Sequence, residues 1–420
     1  MSGQAISQKN ITKTQDIDLK AIDKANRWLS ILLSFMIPTS TAGTNITALI
    51  ILILFLASGQ WRKKLNLLKN NKLAIFSLAL YLALAIGILY SKSDSFHHDI
   101  MRLMKYNKLL LVPVIIYLFQ DIKYKKIGLY SFMYAMALTL IVGYSHKLFK
   151  TPLPSNHTSP DNIFVLGIIT PCLMAFFTTF CLYKLINSKS LKYQAMWAIS
   201  ALSSFYYIYF ISLRRTGYLI QTILLLLFVA YLIKSKKLNN KKIIGFSFSI
   251  IAVASLTLFI GIKTNNNLER RINDAIHDVQ LFKKHNPHSS NGARLSWYVN
   301  FTKLIAKKPI FGYGTGSLQS VYKENFANKN LPLTNNPHNQ YIEIAFMLGL
   351  FGLAIYLSML FFAYKNLCDD PMINLIGKTA IILFMVGSCM NSWLLDLTPG
   401  FFLCYFAALA NKPHQKLKNN

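Results

Sequence analysis

Pro337-His338-Asn339-Gln340-Tyr341 closes a polar stretch, and residues 341–364 (YIEIAFMLGLFGLAIYLSMLFFAY) continue from it as an almost wholly apolar run. A membrane-spanning helix needs about 20 mostly apolar residues, so this run predicts a span. In lipid, an open-ended segment satisfies its backbone polar groups only as a helix, which makes the expected fold all-α. The junction puts a titratable imidazole, His338, where a water-exposed loop enters the membrane. Gly349 and Gly352 follow on the helix below it, in the spacing H-N-x9-G-x-x-G.

The rest of the chain repeats the pattern. Of 420 residues, 53% are hydrophobic and 14% charged, against roughly 25% charged in a soluble domain. Apolar runs near 27–45, 46–60, 73–91, 104–119, 127–145, 164–183, 194–212, 217–233, 243–262, 341–364, 378–395 and 398–411 predict about twelve spans. Cations outnumber anions, 45 Lys+Arg to 15 Asp+Glu, but they fall in short clusters between apolar runs. That placement orients a membrane protein and argues against nucleic acid as a partner. Arg62, Lys63, Lys64, Lys69 and Lys72 follow the second run, Lys123, Lys125 and Lys126 the fourth, and Lys184, Lys189 and Lys192 the sixth. Lys234, Lys236, Lys237, Lys241 and Lys242 follow the eighth, and Lys412, Lys416 and Lys418 close the chain. With twelve spans all of these lie on one side, which is then cytoplasmic and holds both termini.

The expected organisation is a cytoplasmic tail over 1–26, spans over 27–262, a long outward loop over 263–340, spans over 341–411 and a cytoplasmic tail over 412–420. Residues 1–26 lack an apolar core, so no cleavable signal is expected and the first run acts as an anchor. The long loop carries 11 Lys+Arg against 4 Asp+Glu, and loops of that length largely escape the charge rule. Within it, Leu295, Tyr298, Phe301, Thr302 and Ile305 have helical spacing, and Phe311-Gly312-Tyr313-Gly314-Thr315-Gly316 reads as a tight turn. Cys172, Cys181, Cys389 and Cys404 sit in apolar runs and Cys368 in a connector; no C-x-x-C occurs, so neither a disulfide framework nor a thiolate metal site is expected.

Arg214 and Arg215 are squeezed between two apolar runs, on the side where short connectors carry few cations. An arginine there either snorkels to the interface or meets an anion; guanidinium suits phosphate because it offers a planar fork and a permanent charge. Arg294 lies in the long loop. Arg215 with Leu219 (R-x3-L), Arg294 inside the loop, and His338-Asn339 with Gly349 and Gly352 closing it resemble, in that order, the signature of the O-antigen ligase and polymerase family. The resemblance covers roughly residues 205–355.

It implies a GT-C-like membrane glycosyltransferase of the bacterial inner membrane with its active site on the periplasmic face. The implied donor is an O-antigen glycan on undecaprenyl diphosphate and the implied acceptor lipid A–core, with inversion at the anomeric carbon. Arg215 and Arg294 would stabilise the departing diphosphate electrostatically. His338 would take the acceptor proton, orient the acceptor or bind diphosphate. No metal, nucleotide or ATP is expected: the outward face has no D-x-D, and neither common nucleotide-binding glycine loop occurs.

Arg102, Lys105 and Lys108 are spaced to form either a phosphate site or an interfacial stripe. Asn339 would orient the ring or satisfy the N–H groups of a helix start. Glu343 would pair with an arginine or steady His338, and Gly349 and Gly352 would allow close helix packing. His97, His98, His277, His285 and His288 match no zinc spacing. The competing readings are an O-antigen polymerase, a protein O-oligosaccharyltransferase and, more distantly, a lipid-linked glycan transporter.

Overall fold

The computed structural model describes residues 2–154, 162–212, 214–235, 245, 289–327 and 331–413. The ninth apolar run (243–262) apart from residue 245, His277, His285, His288, Lys236, Lys237, Lys241, Lys242 and the first part of the long loop lie outside the described residues. Within them the fold is all-helical, with no strand and one isolated bridge, Leu367 to Asn411.

Helix α1 (Ser2–Thr39) ends at Ser40, whose hydroxyl caps α2 (Thr41–Ala57) by accepting from Gly43 N at 2.9 Å. The chain bends by 114° into α3 (Trp61–Leu68). Asn71 caps α4 (Lys72–Ile88) and ties it to the chain's far end through Asn411 Oδ1 at 2.7 Å. A short helix, α5 (Phe96–Met104), leads through a 3₁₀ turn at Asn107–Leu110 into α6 (Leu111–Leu118). The fourth apolar run is thus broken. Pro113 has no N–H and its ring would clash with the carbonyl one turn back, so the tightened turn takes the place of α-helix there.

α7 (Ile122–Phe149), α8 (Thr170–Asn187), α9 (Leu191–Tyr206) with its π-helical extension Tyr207–Ser212, and α10 (Arg215–Ser235) follow. The described part of the long polar segment holds α11 (Ser290–Lys307) and α12 (Leu318–Phe326). The chain closes with α13 (Gln340–Lys365), α14 (Pro371–Ser388) and α15 (Leu397–Leu409).

α6 is buried along its whole length, α15 from Thr398 onward and α8 up to Tyr183. Around them, α2, α9 and α10 expose Ile46, Leu49, Ile199, Leu202 and Leu226 outward, the surface expected where lipid replaces water. Among the described residues five helices are long and apolar enough to cross a membrane: Ile122–Phe149, Leu191–Ser212, Arg215–Ser235, Gln340–Lys365 and Pro371–Ser388. Counting the bent α2–α3 pair as one span makes six. Lys72–Ile88, Asn107–Leu118 and Leu397–Leu409 are apolar but shorter. The chain is a multi-pass membrane protein, and these helices do not by themselves establish the expected twelve spans.

Candidate active site

The loop after α11 is built on glycine. Gly312, Gly314 and Gly316 have φ of 69°, 92° and 95°, a region open to glycine and strained for other residues. It inserts its backbone into α13. Tyr313 N and Gly314 N donate to Phe346 O and Met347 O, both at 2.9 Å, while Pro309 O and Ile310 O accept from Leu350 N (2.7 Å) and Phe351 N (3.3 Å). These bonds replace the helical ladder where Gly349 breaks it, at φ 66° and ψ −166°. A Cβ on Gly349 would lie 2.1 Å from Ile310 O, and one on Gly352 would lie 2.1 Å from Leu348 Cβ. The close approach that Gly349 permits at the break is therefore to a loop backbone, where the sequence suggested a neighbouring helix, while Gly352 makes room for the Leu348 side chain of its own helix.

That docking lays α11 along α13, with Phe301 edge-on to Phe346 at 5.1 Å. Trp297 stacks on the His338 ring (5.2 Å between centroids, 23° between planes) and donates from Nε1 to Pro332 O at 2.7 Å. One turn back lies Arg294, half-buried, close enough to His338 to disfavour its protonation. The Tyr298 hydroxyl lies 3.0 Å from His338 O and 3.1 Å from Cys389 O.

His338 is held in the left-handed region at φ 53°, uncommon for a non-glycine residue. The conformation is pinned from several sides. His338 N donates to Asn336 Oδ1 at 2.8 Å, and the Ser392 hydroxyl donates to the same oxygen at 2.7 Å. Asn339 Oδ1 caps α13 by accepting from Tyr341 N and Ile342 N (3.0 and 3.1 Å), and its amide reaches Cys389 O.

The ring itself is set by the turn between α14 and α15. Asn391 Nδ2 donates to Asp396 Oδ2 at 2.7 Å, and Asn391 Oδ1 faces His338 Nδ1 at 2.7 Å. An ionised carboxylate only accepts, so Asp396 fixes which end of the amide faces the ring. Asn391 Oδ1 then requires the proton on His338 Nδ1, which leaves the Nε2 lone pair open. Burial lowers the His338 pKa from its ordinary value; the bond to Asn391 opposes that and Arg294 reinforces it. The ring is thus neutral near pH 7. Asp396 is pushed up to about 6 by burial, with nearby Lys108 opposing, so it is still ionised at pH 7.

Behind this turn runs a second buried chain. Glu343 Oε1 accepts from Arg102 Nη2 at 2.6 Å and from the Tyr106 hydroxyl at 2.8 Å. Gln340 Nε2 donates to that hydroxyl at 3.3 Å, while its Oε1 accepts from Leu394 N and Leu395 N (2.7 and 3.1 Å). Arg102 and Glu343 retain 6% and 0% exposure, so the arginine's charge is committed to a carboxylate. Lys105 is exposed, and Lys108 is buried with its ammonium on Leu395 O and Asp396 O.

Arg214 is half-buried and Arg215 exposed, directly after the π-helical turn. α10 packs on α14, whose C-terminal end leads to Asn391. Arg294, His338, Asn339 and Glu343 therefore converge, Arg102 joins through Glu343, and no bond between Arg215 and His338 is found among the described residues. The sequence showed Tyr298 only as part of a helical spacing and did not single out Trp297, Asn336, Asn391 or Asp396. The available signal was that Asn391, Ser392 and Asp396 are polar residues in a short turn between two apolar runs. Among the described residues no three His, Cys, Asp or Glu side chains cluster as a metal site would require.

Residues 198–357 match the protein-family model described as O-antigen ligase. The resemblance to the O-antigen ligase family holds. Over 360 residues the chain is 22% identical to the O-antigen ligase of Escherichia coli (strain K12), an alignment spanning 80% of this chain and 81% of that protein. The stretch matched to the O-antigen ligase model contains Arg214, Arg215, Arg294, His338, Asn339, Glu343 and both motif glycines. Asn391 and Asp396, which fix the ring, lie beyond it.

Proposed function

We propose that the protein is a periplasmic-side glycosyltransferase of the bacterial inner membrane, moving O-antigen glycan from undecaprenyl diphosphate to lipid A–core. A ligase- or polymerase-type activity follows from the family match; the donor, acceptor and mechanism are this proposal. The observation that carries it is His338, neutral, with Nδ1 held by Asn391 and Nε2 left open beside Arg294.

In the proposed step, an acceptor sugar hydroxyl attacks the anomeric carbon from the side opposite the diphosphate. The C–O bond to phosphate breaks as the new glycosidic bond forms, and the configuration inverts. His338 Nε2 takes the hydroxyl proton, and Asn391 steadies the resulting imidazolium through Nδ1–H. The bond's electron pair leaves on the lipid diphosphate, where Arg294 and Arg215 supply fixed positive charge. Arg214 would add further charge along the diphosphate. Arg102 would contribute by keeping Glu343 and the start of α13 in place, and Asn339 by capping that helix.

Deletion of the gene, with lipopolysaccharide and carrier-linked glycan run separately on gels, tests the assignment. Loss of the proposed activity leaves bare core while long polymer persists on the carrier. Core bearing a single repeat would instead mark a polymerase, and an unchanged lipopolysaccharide would point to a protein acceptor.

A further inference from the structure

A concavity of about 370 Å³ borders the Asp396 turn, lined among others by Met104, Lys105, Lys108, Leu395, Asp396 and Phe401. Its volume falls within the roughly 300–1,000 Å³ of small-ligand sites. It is walled by α2, α5, the 3₁₀ turn and the start of α15.

The polar floor is built around a buried cation. Lys108 keeps 2% exposure, and its ammonium donates to Leu395 O at 3.1 Å and Asp396 O at 2.7 Å. An ammonium has three donors, so one remains beyond those two bonds. Gly400 makes room for it, since a Cβ there would sit 2.8 Å from Lys108 Nζ. Lys105 stands at the mouth, exposed and with no bonded partner among the described residues.

The approach to the cavity is apolar. Phe96, Ile100 and Met104 recur every fourth residue of α5 and are all exposed, while Asp99 and Arg102 on the other face are buried. A short amphipathic helix of this kind lies in the interface plane with its apolar side toward acyl chains. On the adjoining α2, Ile46, Leu49 and Ile53 are exposed as well.

Two cations in a cavity flanked by exposed apolar surfaces on α2 and α5 fit one class of ligand. We propose that this cavity seats the phosphate of an anionic membrane lipid between Lys105 and Lys108, with the acyl chains lying against α2 and α5. The site is separate from Arg294 and His338 and does not depend on the transfer reaction. It shares Asp396 with the chain that fixes His338: the backbone carbonyl faces Lys108, and the carboxylate holds Asn391.

The test is binding of dioleoylphosphatidylglycerol to the purified full chain in neutral detergent, read by native mass spectrometry against dioleoylphosphatidylcholine. Phosphatidylglycerol is expected to be retained over phosphatidylcholine. Lys105→Gln should weaken it about tenfold, the loss of one charge-assisted hydrogen bond. Lys105→Arg should retain it, and Lys92→Gln, at an exposed cation that does not line the cavity, should leave it unchanged. Equal binding of the two lipids, or a Lys105→Gln variant that binds as the parent does, would overturn the proposal. Displacement of the lipid by excess inorganic phosphate would also overturn it, since the site would then take free phosphate.

Discussion

Replacing Gly349 with alanine should undo the join between the glycine loop after α11 and α13. The glycine's φ of 66° and ψ of −166° lie in a region that is essentially glycine-only, and forcing another residue into it costs roughly 1–3 kcal/mol. The new Cβ would also lie 2.1 Å from Ile310 O, a distance that no backbone tolerates, so the loop must withdraw. Withdrawal breaks the bonds from Tyr313 N, Gly314 N, Leu350 N and Phe351 N, each worth about 1 kcal/mol net and more if left buried and unpaired. The total, on the order of 5 kcal/mol, is a large part of an ordinary protein's stability. Thermal unfolding in detergent should shift down sharply, and limited proteolysis should open the chain near residues 308–316. Leu350→Ala, at an exposed position on the same helix, serves as the control and should change little. A Gly349→Ala protein with the parent's melting temperature and protease resistance would refute the broken-helix account.

The buried Arg102–Glu343 pair should show the asymmetry of its kind. Arg102→Ala leaves a buried carboxylate uncompensated and should cost about 3–5 kcal/mol, whereas Arg102→Met with Glu343→Leu should recover most of that loss in the same thermal assay. The pH dependence of transfer should have an acid limb, because Asp396, at about 6, must be ionised to orient Asn391, and His338, whose pKa burial lowers from its ordinary value, must be neutral to accept a proton. Arg294→Gln removes a cation that disfavours protonation of His338, so its acid limb should move to higher pH. Asn391→Leu removes the bond that favours the protonated ring, so its limb should move lower, with the plateau rate reduced about tenfold. Initial rates between pH 5 and 8 measure both shifts, and identical profiles for the two variants would contradict the assigned contacts.

Local chemistry was legible in the sequence; contacts between distant segments were not. The apolar run 341–364 becomes a helix from Gln340 to Lys365 because Asn339 caps its start, and the cap is written in the adjacent residues. The turn Phe311–Gly316 was readable from its glycines. Its insertion at Gly349 was not, because that break exists only when the loop supplies the missing bonds. Pro113 carried a signal for the interruption of the fourth run, which its hydropathy hid. Glu343 stood out as a carboxylate at the mouth of a span, but its partner Arg102 lies 241 residues away. Asn391 is 53 residues beyond His338, and no spacing rule joins a histidine to an amide across two helices. The residue types that bear charge were visible, then, while the neutral residues that aim them were not.

Reconstituted transfer tests the central claim most directly. Purified protein is given undecaprenyl-diphosphate-linked O-antigen and lipid A–core in excess EDTA without ATP, and product is compared for the parent, His338→Gln and Arg294→Lys. The account predicts product from the parent, essentially none from His338→Gln, since glutamine cannot accept a proton at this pH, and a loss of roughly a hundredfold from Arg294→Lys, which keeps the charge but not the fork. Substantial transfer by His338→Gln, or a parent rate that appears only when a divalent metal is added, would contradict it.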